Sequence, residues 1–253
     1  ARSASALGSD RTVSASDGAF MRRALELARK GWGQTAPNPM VGAVVVRNGE
    51  VVGEGYHTRF GEPHAEIEAL RAAGDRAEGA TIYVTLEPCA HQGKTPPCAD
   101  ALVAARVARV VIAARDPNPV AAGGAERLRK AGIEVDTGVE DGAARELNAP
   151  FFHSFASRRP WITLKLAVSL DAALADATGR SRWITGSESR RLVHEMRAGS
   201  DAIGVGIGTV LSDDPSLTVR DAAAPRVAPA RVVFDRAARL PSGSVLARTA
   251  REV

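Results

Sequence analysis

The sequence predicts an α/β protein made of two consecutive units. Short apolar strands alternate with amphipathic helices over residues 17–158, an order typical of a three-layer domain around a largely parallel sheet. An Arg-Arg-Pro run at 158–160 indicates a junction, because the strand-and-helix pattern starts again behind it. Hydrophobic residues make up 45% of the 253 residues, which allows a proper core. We therefore expect a disordered lead-in over 1–16, a first domain over 17–158 and a second over 159–253.

The elements of the first unit are predicted from apolar spacing and turn residues. Apolar residues recur on one face of a helix over about 17–30, and Asn48-Gly49 predicts a hairpin turn between two strands. Gly31 and Gly74 indicate helix ends. Strands are expected at 41–47, 51–55, 80–86, 108–114 and 133–136, and further helices at 64–73, 98–105, 126–130 and 142–156.

The second unit is predicted to begin with a strand over 161–169. Thr185-Gly186-Ser187 can cap a helix that runs to about 198. Two apolar segments, 201–208 and 231–234, are predicted as further strands. At about 95 residues, this unit is short for a nucleotide-binding domain.

Composition and charge exclude several classes of protein. The net charge is +4, but the basic residues are scattered and no basic run is interleaved with aromatic residues, so nucleic-acid binding is not supported. Mild basicity fits a small phosphorylated substrate. The two cysteines lie in one motif, which favours a reducing compartment over a disulfide framework. No apolar run is long enough to span a bilayer and the N-terminal residues lack a secretory apolar region, so we expect a cytoplasmic protein.

The chemically informative residues lie within 61–100. His64-Ala65-Glu66 precedes Cys89 and Cys98, each of which directly follows a proline. One imidazole, two thiolates and a carboxylate that need not bind metal form the ligand pattern of a catalytic zinc site, which keeps a fourth position open for water. His-x-Glu followed by Pro-Cys and a second Cys is also the signature of zinc deaminases that act on nucleobases.

Each of these residues has a role in deamination chemistry. Zinc lowers the pKa of bound water towards roughly 7. A neighbouring carboxylate, here Glu66, must take the water proton and pass protons to the ring and the departing amine. If His64 opens a helix, Glu66 lies in the first turn, where the helix dipole favours its ionised form. The alternatives are a disulfide, buried thiols or a structural zinc, although a structural site normally has a fourth Cys or His ligand, for which His91 is the nearest candidate.

Longer motifs resemble one family. PNPMVG (37–42), HAE (64–66), EPCAHQGKTPPC (87–98) and DPNP (116–119) resemble the deaminase half of the bifunctional riboflavin-biosynthesis deaminase/reductase. TLKLAVSLDA (163–172), SRWIT (181–185) and DDPSLTVR (213–220) resemble its reductase half. The resemblance extends over about 17–234. Eight residues separate the cysteines in this chain, whereas related deaminases usually have two.

The resemblance implies a fold, two reactions and two cofactors. We expect a cytidine-deaminase-like three-layer α/β/α domain followed by an incomplete dihydrofolate-reductase-like α/β domain. The family deaminates 2,5-diamino-6-ribosylamino-4(3H)-pyrimidinone 5′-phosphate with Zn²⁺. It then reduces 5-amino-6-(5-phosphoribosylamino)uracil to the ribityl product with NADPH. The family's later Gly-rich nucleotide segment has no counterpart before Val253, so we expect a partial reductase domain whose activity is in doubt. A homo-oligomer is also expected.

The resemblance also assigns residues to both sites. His64, Cys89 and Cys98 would bind zinc, with Glu66 as the proton shuttle. The deaminase substrate positions are Asn38, His57, His91, Lys94, Asp116 and Asn118. The NADP positions are Ala167, Trp183, Thr209 and Asp213, and the reductase substrate positions are Lys165, Ser181, Arg197, Leu217 and Arg220. The chain departs from the family at Ala172, where glycine is usual, and a Cβ there can obstruct a tight turn.

Simpler interpretations remain open for several of these residues. Asn38, Asp116 and Asn118 can form Asx turns beside proline, and His57 can be an ordinary histidine at a strand end. Lys165 can extend its charge into water from a strand, and Trp183 can be a core residue. For the whole protein, the alternatives are a deaminase of cytidine or of adenosine in tRNA, or a zinc-binding homologue without activity. The long inter-cysteine loop disfavours the former and the intact Glu66 disfavours the latter.

Overall fold

The computed structural model describes residues 15–91, 96–179 and 184–250, and it divides into two compact units. The first contains Ala1–Gly31 and Pro37–Arg159, and the second contains Trp32–Ala36 and Pro160–Val253. The division therefore falls beside the Arg-Arg-Pro run, while a short segment from the N-terminal part of the chain belongs to the second unit. No helix within the described part of the chain has the length and apolar character needed to cross a membrane.

A five-stranded sheet forms the centre of the first unit. Its strands are β1 Gly42–Arg47, β2 Glu50–Tyr56, β3 Thr81–Leu86, β4 Arg109–Ala114 and β5 Glu134–Thr137, in the order β2-β1-β3-β4-β5. β1 is antiparallel to both of its neighbours, whereas β3, β4 and β5 are parallel. Four of the five strands thus run in one direction. The exception is β1, because the Asn48-Gly49 turn, with φ values of 52° and 82°, reverses the chain between β1 and β2.

Helices cover both faces of this sheet and confirm the predicted three layers. They are α1 Ala15–Arg29, α2 Ala65–Ala73, α3 Cys98–Ala104, α4 Gly124–Lys130, α5 Asp141–Leu147 and α6 Ala149–Ala156. Alternate strand residues face opposite sides, so that Val45 belongs to the buried cluster on the side of α2, α3 and α4, whereas Val44 belongs to the cluster on the side of α1 and α5. The predicted zinc ligands His64 and Cys98 lie where α2 and α3 begin.

Two predictions for the first unit need correction. The helix expected over 142–156 is two helices, because the Asn148 side chain bonds the Met40 backbone N–H and C=O, both at 2.8 Å, and Pro150 lies in the first turn of the second helix, where its missing N–H is tolerated. The lead-in expected over 1–16 is wrong for Ala15 and Ser16, which belong to α1. The buried contacts of Asp17 hold this first turn in place. Residues 1–14 lie outside the described residues.

Asp17 anchors α1 to three strands through a buried ionic network. Its carboxylate accepts hydrogen bonds from the Tyr83 hydroxyl at 2.7 Å and from the Arg109 guanidinium at 2.9 and 3.2 Å. Arg109 also donates from Nε to Asp136 on β5 at 2.7 Å. Burial, and then the bond to Asp17, raises the pKa of Tyr83. The network therefore connects α1 with β3, β4 and β5.

Glycines in β2 allow α2 to lie directly against the sheet backbone. A Cβ at Gly55 would lie 2.4 Å from the Ala69 nitrogen and 2.5 Å from the Ala65 oxygen. A Cβ at Gly53 would lie 2.4 Å from the Ala69 oxygen. Real Cβ atoms do not approach backbone this closely, so glycine at these positions sets the depth of α2.

The second unit contains fewer regular elements. They are α7 Ser187–Ala198, β6 Ala202–Gly206, α8 Ile207–Asp213, β7 Ala230–Phe234 and α9 Val245–Arg248. β6 and β7 form a parallel two-stranded sheet. Trp32 joins this unit by donating its indole N–H to the Glu195 carbonyl at 2.7 Å. The prediction of a strand over 201–208 is too long, because α8 begins at Ile207.

The strand predicted over 161–169 does not form. Within the described residues, the sheet of the second unit contains β6 and β7, and residues 161–169 are not paired with either strand. Ile162 and Leu164 are consequently 81% and 79% exposed. Beyond the segment, Ser169 and Ala173 close a tight turn in which Ala172 has a φ of 64°. This is the left-handed region that favours glycine, in agreement with the expected strain at Ala172.

Candidate active site

Three predicted metal ligands converge at the ends of three elements. His64 directly precedes α2, Cys89 follows β3 and Cys98 is the first residue of α3. Their ligand atoms all lie within 4.8 Å of one another. The His64 Nδ1 atom is 3.2 Å from the Cys98 sulfur and 3.7 Å from the Cys89 sulfur. Both cysteines are free, so the alternative of a disulfide is not formed.

The donor set fits a catalytic zinc ion. One imidazole nitrogen and two sulfurs are the donors that zinc prefers, and three protein ligands leave a position for a reacting molecule. Among the described His, Cys, Asp and Glu residues, no fourth member joins this group. His91, the nearest candidate for a fourth ligand, is exposed and lies outside it. The alternative of a four-ligand structural site is therefore disfavoured.

The two thiols are joined by one hydrogen bond. This bond, with a further contribution from His64, lowers the pKa of Cys89. The same bond, together with burial, raises the pKa of Cys98. A bound cation would stabilise both sulfurs as thiolates, because metal binding releases thiol protons.

Glu66 is the buried carboxyl group of the site. It is the second residue of α2 and only 3% exposed. Burial raises the pKa of Glu66, and His64 opposes this shift. Burial close to the ligands, with a pKa above the ordinary range of a carboxyl group, suits a group that takes up and returns protons.

Asn38 and His57 form a pair next to the metal ligands. The Pro63 carbonyl can only accept a hydrogen bond, so His57 donates to it from Nδ1, at 3.1 Å. In the neutral ring, Nε2 then accepts from the Asn38 side-chain nitrogen at 3.2 Å. The His57 ring also packs edge-to-face against His64, with centroids 5.5 Å apart. His57 is 2% exposed and both of its nitrogens are engaged, whereas Asn38 is partly exposed.

Asp116 and Asn118 shape the loop that follows β4. The Asp116 Oδ1 atom accepts from the Asn118 N–H at 2.8 Å, and the Asn118 Oδ1 atom accepts from the Val120 N–H at 3.0 Å. Both residues therefore make the Asx turns that the simpler interpretation expected. Burial raises the pKa of Asp116. A turn role and a role in substrate binding are compatible, since each side chain has further polar atoms. Lys94, a predicted substrate residue, lies outside the described residues.

The sequence interpretation missed Glu87. Its carboxylate is 7% exposed and accepts backbone hydrogen bonds from Asp116, Gly123 and Ala125. An acidic residue at the end of a buried apolar strand was the available signal, because a buried charge must find partners. Its partners could not be identified from the sequence, since they are backbone N–H groups.

In the second unit, two predicted substrate arginines, Arg197 and Arg220, make hydrogen bonds that join α7 to residues 218–220. Arg197 donates to the Thr218 carbonyl at 3.1 Å, and the Arg220 backbone N–H donates to Nδ1 of His194 at 3.1 Å. Burial, and then the charge of Arg220, lowers the pKa of Arg197. Leu217, between Ser216 and Thr218, is buried with a φ of 52°.

The other predicted residues of this unit are more dispersed. Thr209 and Asp213 lie on α8, while Lys165, which is exposed, and Ala167 lie in the segment that forms no strand. Ser181 and Trp183 lie outside the described residues.

Two family models match the chain, one for each unit. The model described as the cytidine and deoxycytidylate deaminase zinc-binding region matches residues 14–114. The model described as the RibD C-terminal domain matches residues 160–252. The first match includes His64, Glu66, Cys89 and Cys98.

Curated relatives resemble the chain over most of its length. The riboflavin biosynthesis protein RibD of Aquifex aeolicus (strain VF5) is 51% identical over 231 residues, which are 91% of this chain and 65% of the relative. RibD of Escherichia coli (strain K12) is 56% identical over 202 residues, which are 79% of this chain and 55% of the relative. The chain thus spans between about half and two thirds of the length of these relatives.

Solved structures agree with the sequence comparisons. Form 1 of Acinetobacter baumannii RibD is 48% identical with a TM-score of 0.80, covering 91% of this chain and 67% of that one. The diaminohydroxyphosphoribosylaminopyrimidine deaminase/5-amino-6-(5-phosphoribosylamino)uracil reductase of Thermotoga maritima is 46% identical with a TM-score of 0.84, covering 93% and 67%. Identity near one half over two thirds of each structure confirms the predicted resemblance, and the chain belongs to the RibD family of riboflavin biosynthesis proteins.

Proposed function

We propose that the first unit is a zinc-dependent deaminase of riboflavin biosynthesis, acting on 2,5-diamino-6-ribosylamino-4(3H)-pyrimidinone 5′-phosphate. The observation that carries the proposal is the convergence of the His64 nitrogen and the Cys89 and Cys98 sulfurs within 4.8 Å, with the buried Glu66 on the same helix turn. When bound to these three ligands, zinc supplies the Lewis acidity that lowers the pKa of water.

The protein's own groups would carry the proton transfers and the recognition. Glu66 would accept the proton of the attacking water and deliver protons to the ring nitrogen and the leaving amine. Asn38, Asp116 and Asn118 offer the paired donors and acceptors that a pyrimidinone edge needs. His91 and Lys94 offer donors to the sugar phosphate. His57 would act through Asn38, since its own nitrogens are engaged within the protein.

For the second unit we propose the family's other reaction, the NADPH-dependent reduction of 5-amino-6-(5-phosphoribosylamino)uracil. Support comes from the match to the RibD C-terminal domain and from the two cationic groups at Arg197 and Arg220, which suit a phosphorylated substrate. Deaminases of cytidine or of adenosine in tRNA are not favoured, because the relatives that cover most of the chain are RibD proteins. A homo-oligomeric state and a cytoplasmic location stay predictions.

The proposed deaminase is tested by ammonia release from the diaminopyrimidinone ribosyl phosphate, with zinc content measured on the same sample and NADPH oxidation followed in parallel. Glu66→Gln is expected to keep about one zinc per chain and to lose ammonia release by about 10²- to 10⁴-fold, the usual contribution of a general acid–base group. Glu68→Gln is the matched control, because Glu68 lies on the same helix and pairs only with Arg71 among the contacts described.

The outcomes test the role of Glu66 and the identity of the substrate independently. Full activity in Glu66→Gln would show that Glu66 is not the proton shuttle. Stoichiometric zinc without ammonia release by the wild type would contradict the substrate assignment, and cytidine and RNA would then be assayed.

A further inference from the structure

The Glu87 carboxylate joins three segments around the candidate active site. Glu87 directly follows β3 and lies two residues before Cys89. Its Oε2 atom accepts from the Asp116 N–H at 3.3 Å, in the loop that follows β4. Its Oε1 atom accepts from the Gly123 and Ala125 N–H groups at 3.2 and 3.0 Å, where α4 begins. The side chain is 7% exposed, so these bonds are shielded from water.

Only a carboxylate satisfies all three partners. Each partner is a backbone N–H, so both ends of the side chain must accept hydrogen bonds. A glutamine in either amide orientation would place an NH₂ group against at least one backbone N–H. The geometry therefore selects for charge at this position, and not merely for a polar side chain of the same size.

The two loops joined by Glu87 also meet through their backbones. The Ala90 N–H donates to the Ala121 carbonyl at 3.0 Å. The Pro88 carbonyl lies so close to Gly124 that a Cβ there would be 1.8 Å from it. The loop that holds Cys89 and the loop that holds Asp116 are thus packed against each other, with Glu87 at the contact.

We propose that Glu87 is a positioning residue that sets the loop of Asp116 and Asn118 relative to the metal ligand Cys89. The inference rests on the proposed deaminase function, since it assigns substrate recognition to that loop. Glu87 is not itself a ligand or a proton carrier in this proposal. It fixes the distance between the groups that recognise the base and the centre at which the amine is released.

The proposed positioning role of Glu87 predicts which properties of the protein change in Glu87→Gln. In Glu87→Gln the Asp116 N–H loses its acceptor, so the recognition loop gains freedom. The Cys89 loop keeps the bonds from the Ala99 N–H to the Cys89 carbonyl at 3.2 Å and from the Cys98 N–H to the Cys89 sulfur at 3.3 Å. Zinc should therefore be retained, while KM rises by about tenfold with a smaller change in kcat, as expected when one hydrogen bond to a charged group is lost.

Hydrogen exchange tests the positioning role without relying on catalysis. Exchange is followed by mass spectrometry of peptides that cover 115–126 and, for comparison, the strand β4. Glu87→Gln is expected to speed exchange about tenfold in the 115–126 peptides and to leave β4 at the wild-type rate. Glu126→Gln is the matched control, since Glu126 is exposed in the first turn of α4 and should alter neither.

Kinetics and zinc content on the same variants complete the test. Unchanged exchange in 115–126, or an unchanged KM, would overturn the proposal. Loss of zinc would also overturn it, because Glu87 would then support the ligand loop. If exchange becomes equally faster in β4, the variant has lost stability in general, and this result would also overturn the proposal. If the wild type releases no ammonia, the proposed function fails, while the local change in exchange still decides whether Glu87 holds the loop.

A double-mutant cycle provides a second test. If Glu87 acts through the Asp116 loop, the KM effects of Glu87→Gln and Asp116→Asn should be clearly less than additive. Fully additive effects would show that the two residues act independently, and would contradict the proposal.

Discussion

The side-chain nitrogen of Asn38 donates to Nε2 of His57, 3.2 Å away, in a pocket that excludes water from the imidazole. The opposite ring nitrogen is held by the Pro63 carbonyl, so the ring has one tautomer when neutral. This arrangement fixes which end of the Asn38 amide is the donor towards the protein. The side-chain oxygen of Asn38 takes no part in this bond and can accept a hydrogen bond from another group.

The pair predicts a shared effect on substrate affinity. His57→Leu removes the acceptor and frees the Asn38 amide, so KM for the deaminase substrate should rise by about tenfold, the value of one hydrogen bond in a recognition site. Asn38→Ala should raise KM by a similar factor. Steady-state kinetics of the double variant is the check. If the change in binding free energy of the double variant equals the sum of the two single changes, the two residues are not coupled and the prediction is contradicted.

Gly55→Ala should disturb the metal centre through the backbone of α2. Its Cβ would lie 2.5 Å from the oxygen of Ala65, which directly follows His64. We expect a loss of about 2 kcal/mol in the free energy of unfolding, typical of overpacking, together with weaker zinc binding. Gly142→Ala is the control, since no atom lies within 4 Å of its Cβ position on α5. Urea unfolding and zinc titration would test both, and equal zinc affinity in the two variants would contradict the prediction.

Asp17→Asn should destabilise the first unit far more than a surface substitution of the same kind. The Asp17 side chain is 5% exposed. Asparagine would remove the negative charge beside Arg109 and would place an NH₂ group against at least one of the donors that the two carboxylate oxygens now accept. We expect a loss of about 3 kcal/mol in the free energy of unfolding. Asp100→Asn breaks an ion pair with Arg127 whose side chains are 40% and 47% exposed, so at most about 1 kcal/mol should be lost. Urea unfolding followed by far-ultraviolet circular dichroism would compare them, and similar losses would contradict a special role of the buried network.

Ala172→Gly should stabilise the turn between Ser169 and Ala173. The φ of 64° at Ala172 places its Cβ in an unfavourable conformation, which glycine avoids. After the entropic cost of glycine, a net gain of about 0.5–1 kcal/mol is expected. Ala177→Gly is the control, because Ala177 is exposed and does not have a positive φ. Differential scanning calorimetry is the measurement, and a lower Tm for Ala172→Gly than for the wild type would contradict the strain.

The sequence predicts those features that local chemistry dictates. Short apolar runs located β1, β3 and β4 to within a residue or two, and the ligand types of His64, Cys89 and Cys98 indicated zinc before their distances were known. Features that depend on distant backbone were not predicted. Glu87 was overlooked because its partners have no side-chain signature, and the helix break at Asn148 depends on its bonds to Met40, 108 residues away.

The second unit contains a segment whose sequence predicts a strand that the structure does not form. The apolar residues of 161–169 have strong strand character, but a strand also needs a neighbour that bonds its backbone. Within the described residues, this segment is not paired with β6 or β7. Apolar pattern alone therefore gave the wrong element at this position.

The segment Trp32–Ala36 has a spectroscopic consequence. Of the three tryptophans in the sequence, Trp32 and Trp161 belong to the second unit, and Trp183 lies within the sequence matched by the RibD C-terminal domain, whereas both tyrosines, Tyr56 and Tyr83, belong to the first unit. Selective excitation of indole therefore reports on the reductase-like unit alone, without an introduced label. Quenching by a bound nicotinamide, or a red shift on denaturation, can be followed there while the deaminase-like unit stays silent at the same wavelength.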